Sequence, residues 1–260
     1  MNIQPISSID LGIAALLVLL LAGLNLRTAP GLSRDLMIAA VRLVVQLSLI
    51  ALVLKFVFAE RNPLFIGGLG LIMVALAGRE VIKRMQTGKS LPGTFKVSAL
   101  SMFVSSYVMC IFCLLAIIQA DPWYHPQYAI PLLGMLLGNT LNGVTLSLNR
   151  LRDAFKTQRA MIENRLMLGE DIWSATQRLR HEAMTSAMIP TVNSMAAAGI
   201  VSLPGMMTGQ ILAGTDPELA VRYQILIFLL IAAGTGFGTY LATHFGSKQL
   251  FDKRQRLVAL

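Results

Sequence analysis

Polar side chains recur inside long apolar stretches of this sequence, at spacings that place them on single helix faces. Arg42 and Gln46 are one helical turn apart, and Asn139, Asn142 and Thr145 follow one another at intervals of three residues. A charged or amide side chain inside a membrane is costly, and by default it is a candidate for contact with a transported substrate. The candidates for a translocation pathway are Arg42, Gln46, Asn139, Asn142, Asn193 and Ser194.

Structural roles compete with substrate contact at two places. Three roles are compatible with Arg42: contact with substrate, a hydrogen bond to another helix, or extension of the side chain toward the inner membrane surface. A Pro-Gly pair interrupts the sixth apolar stretch, where it predicts either a gate or re-entrant turn, or a simple proline kink. The candidate gate residues are Pro204, Gly205, Met206 and Met207.

Thiol, imidazole and carboxylate groups raise the question of a metal site. Cys110 and Cys113 lie on one apolar stretch, and Asp121 and His125 follow in the next connection. Sulfur ligands suit soft metals, and an acidic residue with a histidine suits a divalent ion. Filling of an apolar core explains the sulfur groups equally well, and neighbouring aromatic residues indicate an interfacial belt at the connection. These four residues are the weaker, metal-binding candidates.

Motifs for catalysis or nucleotide binding are missing from the sequence. Gly88-Lys89-Ser90 resembles the end of a phosphate-binding loop, but Lys83 stands where that pattern needs its first glycine. Neither an H-E-x-x-H nor a G-x-S-x-G element occurs. We therefore expect no catalytic residues, no cofactor bound by this chain, and no ATPase activity of its own.

Composition places these residues in an integral membrane protein. Apolar residues make up 55% of the 260 residues and charged residues only 13%, about half the share of a soluble domain. The net charge of +9 follows the positive-inside rule rather than indicating nucleic acid. With the N-terminus outside and the C-terminus in the cytoplasm, all 22 Lys and Arg residues fall on the inner side except Arg42, Lys55, Arg61 and Arg222.

Seven apolar stretches are long enough to cross a bilayer, which needs about 20 residues in a helix. The third of these is the least regular because Arg79 and Glu80 occur near its end. The sequence therefore predicts one all-α permease-like domain, residues 1–260, with about seven spans. The stretches are 7–26, 36–59, 64–82, 97–118, 128–148, 183–213 and 219–243.

A single long polar segment, residues 149–182, separates the fifth and sixth stretches. At 100° per residue, Leu151, Phe155, Ile162, Leu166 and Trp173 fall on one narrow stripe. Gly169 predicts a break between two helices, the second beginning near Asp171. The stripe fits a helix on the membrane surface, or one that docks into a groove on another protein.

The polar segment and four runs in the membrane part resemble known transporter families. Glu163, Gly169 and Trp173 match the spacing of the E-A-A-x-x-x-G loop of ABC importer permeases, with Asn164 and Arg165 at the alanine positions. Residues 131–142, 188–194, 199–209 and 213–224 resemble the FetB (YbbM) family of iron-export permeases. The similarity covers most of the chain and is weaker in its N-terminal third.

The resemblance implies a permease subunit of an ABC transporter in the bacterial inner membrane. Such a subunit forms a homodimer among membrane lipids and exports iron with ATP and Mg²⁺ bound by a separate cytoplasmic ATPase, FetA-like. Plant relatives are connected with aluminium tolerance and nucleotide-sugar transport, which leaves another metal or a nucleotide sugar as alternative substrates. The ATPase-coupling residues it implies are Glu163, Leu166, Gly169, Glu170, Asp171 and Trp173.

Other classes of membrane protein fit the residues less well. An ion-coupled secondary transporter needs acidic residues within the membrane, and the central spans contain none. A seven-helix photosensor needs a lysine in its last span, and residues 219–243 have none.

Overall fold

The computed structural model describes residues 7–59, 62–85, 93–252 and 254–258, and over these residues the chain is helical apart from short turns. Within the described residues, six helical segments are long and apolar enough to cross a membrane. The helices are α1 Ser8–Thr28, α2 Pro30–Ala59, α3 Pro63–Arg84, α4 Thr94–Met102, α5 Val108–Cys113, α6 Pro126–Thr157, α7 Arg159–Met167, α8 Ile172–Ala197, α9 Gly205–Leu212 and α10 Pro217–Gln249.

Two compact units divide the chain by their internal contacts. The first comprises residues 1–60 and 212–214, and the second residues 61–211 and 215–260. In the first unit, α1 begins with a capping box between Ser7 and Asp10. Ser33 of α2 donates a hydrogen bond of 2.7 Å to the carbonyl oxygen of Ala22, which joins the two helices.

The second unit is a bundle in which α3, α6 and α10 run in one direction. Gly143 of α6 faces Thr235 of α10, and further along both helices Leu148 faces Gly246, so these two helices are parallel. The helix α8 is antiparallel to α6, because its residue Leu179 packs with Leu151 while the later Ala187 lies near Gly143. The chain therefore reverses direction between α6 and α10 through α8.

Close approach of α6 and α10 depends on glycine. A Cβ atom added at Gly238 would lie 2.5 Å from the Cγ2 of Thr140 and 3.0 Å from the hydroxyl of Ser105. The pair Gly234 and Gly238 therefore serves packing within the chain, as small residues do in membrane bundles. By contrast, nothing lies within 4 Å of the corresponding points at Gly205 and Gly209.

The fourth apolar stretch is one helical rod with two π-helical turns, Phe103–Tyr107 and Leu114–Ile118, inserted before and after α5. The Tyr107 hydroxyl donates to the carbonyl oxygen of Gly67 at 3.2 Å, which ties the rod to α3. A π-helical turn adds a residue to the local hydrogen-bonded ring and is not visible in apolar periodicity.

A turn, rather than a kink, divides the sixth apolar stretch. The helix α8 continues through Pro190 to Ala197, and a tight turn over residues 198–204 separates it from α9. Gly199 occupies the left-handed region at φ +81°, and its N–H donates to the Ser202 carbonyl oxygen at 2.9 Å. Of the two expectations for Pro204, the structure therefore agrees with a turn.

Candidate functional site

A polar cavity of about 190 Å³ lies inside the bundle, between α6, α8 and α10. Asn139 and Asn142 line it from α6, Thr191 and Ser194 from α8, and apolar side chains such as Phe228 from α10. Two amides and two hydroxyls face one space, which is large enough for several water molecules. The residues that line it carry no charge, so the cavity offers hydrogen bonds without an ion pair.

Hydrogen bonds orient the two asparagines. The side-chain amide of Asn139 donates to the carbonyl oxygen of Met135 at 2.9 Å. The carbonyl oxygen of the Asn142 side chain accepts 3.0 Å from Nη1 of Arg84, at the end of α3, and Arg84 also pairs with Glu80 at 3.3 Å. Arg84 therefore joins α3 to one wall of the cavity, a contact that the sequence analysis missed because 58 residues separate the partners.

Three of the predicted pathway residues meet at the cavity: Asn139, Asn142 and Ser194. Asn193 does not line it, because adjacent helical residues point about 100° apart. The gate candidates Pro204, Gly205, Met206 and Met207 lie at the start of α9 and do not line it either. Arg42 and Gln46 are exposed on α2, in the other unit, and their role stays a prediction.

The predicted amphipathic stripe packs against the chain's own C-terminus. After α10, residues 250–252 and 254–258 fold back as a C-terminal hook, with Phe251 bridged to Leu257 and the Val258 N–H bonded to the Leu250 carbonyl oxygen. The rings of Phe155 and Phe251 meet edge to face, 5.8 Å between centroids. The buried cluster contains Leu151, Phe155, Ile162, Leu179, Ala183, Leu250, Phe251 and Leu257.

We call residues 149–182 and the C-terminal hook together the polar module. The stripe packs into this buried cluster within the chain. Neither a membrane surface nor a groove on another protein is therefore needed to bury that face. This pairing is not visible in the sequence, because charged residues separate the apolar pair Leu250 and Phe251 from the apolar pair Leu257 and Val258. Between α7 and the hook lies an open cleft of about 720 Å³.

The predicted coupling residues hold the fold of the polar module. Glu163 pairs with Arg159 at 2.8 Å and Glu170 with Arg165 at 2.9 Å, while Leu166 packs against the buried cluster. Gly169 turns the chain at φ +91°. Asp171 caps α8, because its carboxylate accepts a hydrogen bond of 2.9 Å from the Ser174 N–H. The break at Gly169 and the second helix near Asp171 are thus confirmed.

Trp173 is also engaged within the chain. Its ring stacks on that of His244 in α10, with centroids 4.3 Å apart and planes 11° from parallel. The guanidinium carbon of Arg180 lies 5.0 Å from the Trp173 ring centroid. Trp173 thus has two contacts within the chain, and its role as a coupling residue stays a prediction.

Two apolar residues that the sequence analysis did not single out form the exposed tip of the polar module. Met167, the last residue of α7, is 77% exposed, and Leu168 is 84% exposed. They directly precede Gly169, whose turn projects them away from the buried cluster. The sequence could have indicated them, because both residues lie off the apolar stripe. An apolar side chain that does not face the core of a polar segment needs another partner.

The metal-binding candidates are not brought together. Among the described residues, no three His, Cys, Asp or Glu side chains lie close enough to share a metal ion. Cys110 is buried and its thiol faces the Ala129 carbonyl oxygen at 3.7 Å, while Asp121 is exposed in the connection before α6. Both thiols are buried between helices, and metal binding by Cys110, Cys113, Asp121 or His125 stays a prediction.

The long apolar helices of this fold define a multi-pass helical membrane protein. A family model described as "Uncharacterised protein family (UPF0014)" matches residues 8–251, and the chain belongs to this family. It is 37% identical to the "UPF0014 membrane protein slr1647" of Synechocystis over 94% of this chain and 92% of the relative.

Two further relatives carry more specific names. The "Probable iron export permease protein FetB" of Escherichia coli is 28% identical over 99% of this chain and 97% of its own length. The "Protein ALUMINUM SENSITIVE 3" of Arabidopsis thaliana is 30% identical over 94% of this chain and 88% of its own. No solved structure matches the chain.

Proposed function

We propose that this chain is the permease subunit of an ABC transporter that exports iron from the cytoplasm of a bacterium across its inner membrane. The polar cavity between α6, α8 and α10 carries the proposal, because amides and hydroxyls are retained inside a membrane bundle where a polar substrate or water passes. The likeness to a relative named as an iron export permease supports the substrate. The chain itself is not an enzyme in this proposal.

A separate cytoplasmic ATPase supplies the energy and binds ATP and Mg²⁺. The exposed tip of Met167 and Leu168 is the surface that we assign to it, since two large apolar side chains on a polar segment gain by burial in a partner's groove. The excess of Lys and Arg in this segment supports the proposal that it lies on the cytoplasmic side. When ATP binds, movement of the ATPase at this tip would move the walls of the cavity.

A second copy of the chain completes the pathway. Asn139, Asn193 and Ser194 have exposed side chains at a depth where lipid offers no hydrogen bonds. A partner permease that faces them across water would satisfy these groups. With α8 crossing between α6 and α10, the chain has seven spans, the N-terminus outside and the C-terminus in the cytoplasm.

A different substrate is the second candidate, favoured by the chemistry of the cavity. Its lining provides amide and hydroxyl oxygen but neither thiol, imidazole nor carboxylate. Such groups bind a bare transition-metal ion weakly and suit a complexed metal or a polar organic molecule such as a nucleotide sugar. The relative named for aluminium sensitivity is in keeping with this breadth.

Reconstitution tests the proposal. The chain is co-expressed with a candidate ABC ATPase from the same organism, purified, and placed in proteoliposomes, where ATP hydrolysis and Fe²⁺ movement are measured together. We expect the ATPase to co-purify and Fe²⁺ to stimulate hydrolysis. Failure of an ATPase to associate with the unaltered chain would refute the coupling, and ATP-driven transport of another compound without Fe²⁺ would refute iron as the substrate.

Matched variants separate the two surfaces. Met167→Asp with Leu168→Asp should abolish co-purification of the ATPase, because it places charge at an apolar contact. Asn142→Leu should retain the ATPase but reduce transport, because it fills the cavity and removes the partner of Arg84. Thr145→Val is the control: its hydroxyl bonds to the Leu141 carbonyl oxygen and does not line the cavity. Transport equal to wild type in Asn142→Leu would contradict the pathway.

A further inference from the structure

The stack of Trp173 on His244 joins the start of α8 to the last turns of α10. The two rings lie nearly parallel, with centroids 4.3 Å apart. Arg180, two turns further along α8, packs its guanidinium over the Trp173 ring and donates from Nη2 to the Trp173 carbonyl oxygen at 2.9 Å. Trp173 is therefore held through both its ring and its backbone, and the contact combines stacking with a cation–π interaction.

The position of the stack places it directly behind the exposed tip. Trp173 is the second residue of α8, and only a short turn separates it from Leu168. Arg165 of α7 ties that turn to α8, because its Nη1 donates to the Ala175 carbonyl oxygen at 3.2 Å while its other nitrogens pair with Glu170. A displacement of the tip therefore reaches the first turn of α8 through rigid connections.

The cavity lies further along the same two helices, away from the stack. The segment of α8 from Trp173 to Thr191 is about 27 Å long, and that of α10 from Ile231 to His244 is about 20 Å long, at the rise of an α-helix. Thr191 and Ile231 both line the cavity. Pro190 lies within α8 just before Thr191, where the missing backbone N–H allows a helix to bend.

We propose that the Trp173–His244 stack, clamped by Arg180, is the joint that passes movement of the tip on to α10 and so to the cavity. Trp173 and His244 are positioning residues in this mechanism and do not contact the ATPase. The inference rests on the proposed function, and it assigns to Trp173 a different role from that of Met167 and Leu168. Without the stack, the tip moves α8 while α10 stays in place.

The ratio of transport to ATP hydrolysis tests the joint in proteoliposomes that contain the full chain and its ATPase. In Trp173→Ala and in His244→Ala, co-purification of the ATPase should persist, while transport per ATP hydrolysed should fall roughly two- to tenfold, the range expected for loss of an aromatic pair. The double variant should be no worse than either single one. Trp173→Phe and His244→Phe keep a stack and should restore the ratio.

A tryptophan elsewhere in the chain provides the control. Trp123, in the connection before α6, is the other of the two tryptophans, and Trp123→Phe should leave both the ratio and the co-purification unchanged. If an alanine variant does not fold, Trp173→Leu and His244→Leu retain bulk without aromatic stacking and carry the same test.

Two results would contradict the proposal that the Trp173–His244 stack acts as a joint. The first is loss of ATPase binding in Trp173→Ala while His244→Ala keeps it, since Trp173 would then be a docking residue. The second is an unchanged transport-to-hydrolysis ratio in both alanine variants. Failure of the proposed function looks different, because the unaltered chain would then fail to bind an ATPase or to transport.

Discussion

The polar module and the helical bundle differ in how many polar side chains they bury. In the polar module the inside is apolar, and Phe155 and Ile162 are both fully buried. In the bundle, hydroxyl groups such as those of Ser106 and Thr140 are fully buried, while large apolar residues such as Phe112 are exposed. Hydroxyl side chains thus share the core of the bundle with apolar ones such as Met102 and Leu136, whereas the core of the polar module is almost entirely apolar.

The surroundings explain this difference. Water drives apolar side chains together at about 25 cal/mol per Å², which suffices to fold the polar module around Phe155. Lipid supplies no such force, so the bundle depends on close backbone approach and on hydrogen bonds between helices. The same residue type therefore has a different energetic role in each region, and substitutions can measure it.

Removal of a buried aromatic ring should have the largest effect. Phe155→Ala should lower the free energy of unfolding of the polar module by about 3–5 kcal/mol, because it empties the centre of the cluster and removes the contact with Phe251. Denaturation of the purified protein in detergent measures the change. Phe112→Ala, on the exposed surface of the bundle, should cost less than about 0.5 kcal/mol. Equal costs would mean that the two regions do not differ as proposed.

Addition of one methyl group in the bundle should have the next largest effect. Gly238→Ala should destabilise the protein by about 1–3 kcal/mol, since the new Cβ would meet Thr140 at 2.5 Å. Gly236→Ala, on the same helix, is the matched control because its new Cβ would find only the Met188 side chain, at 3.8 Å. Thermal denaturation of both variants in the same detergent gives the comparison. A Gly238→Ala protein as stable as Gly236→Ala would contradict the close helix contact.

A buried hydroxyl of the bundle should show a smaller effect of opposite sign. The Thr140 hydroxyl oxygen has no hydrogen-bond partner among the described residues. Thr140→Val removes this unpaired group at nearly constant shape and should stabilise the protein by up to about 1 kcal/mol. A loss of more than that amount in the same denaturation assay would show that the hydroxyl has a partner, such as bound water.

The pKa of Asp252 should show the smallest effect, confined to the C-terminal hook. The N–H of Arg256 donates to the Asp252 carboxylate at 2.9 Å, and this hydrogen bond lowers the pKa of Asp252 below its ordinary value of 3.8. Because the folded-state pKa is lowered, the charged carboxylate stabilises the hook above pH 3.8 and this contribution is lost as the pH falls through the lowered pKa. An NMR titration of Asp252 with a midpoint at or above 3.8 would contradict the contact.

Several elements could be predicted from the sequence because they depend on local patterns. Apolar stretches of about 20 residues predicted α1, α2, α3, α6 and α10, and the glycine at 169 predicted the break after α7. The prediction failed where distant segments decide the outcome. The stripe of Phe155 and Ile162 pairs with residues near 251 and 257, and Trp173 pairs with His244, neither of which local periodicity can indicate.

The candidate site was predicted only in part for the same reason. Asn139 and Asn142 were recognised as polar residues on one helix face, but their convergence with Ser194 depends on how α6 and α8 pack. Arg84 was missed as a partner of Asn142, and the exposed side chains of Met167 and Leu168 were not singled out.

The sequence by itself determined that this is a multi-pass helical membrane protein of the UPF0014 family, with one polar segment broken at Gly169. Those properties follow from hydropathy, glycine placement and sequence similarity, which are local or additive along the chain. Only the tertiary structure decided which side chains enclose the cavity, which apolar residues stay exposed at the tip, and which ring covers Trp173. Each of these depends on contacts between segments far apart in the chain, whose geometry is set by packing of the whole bundle.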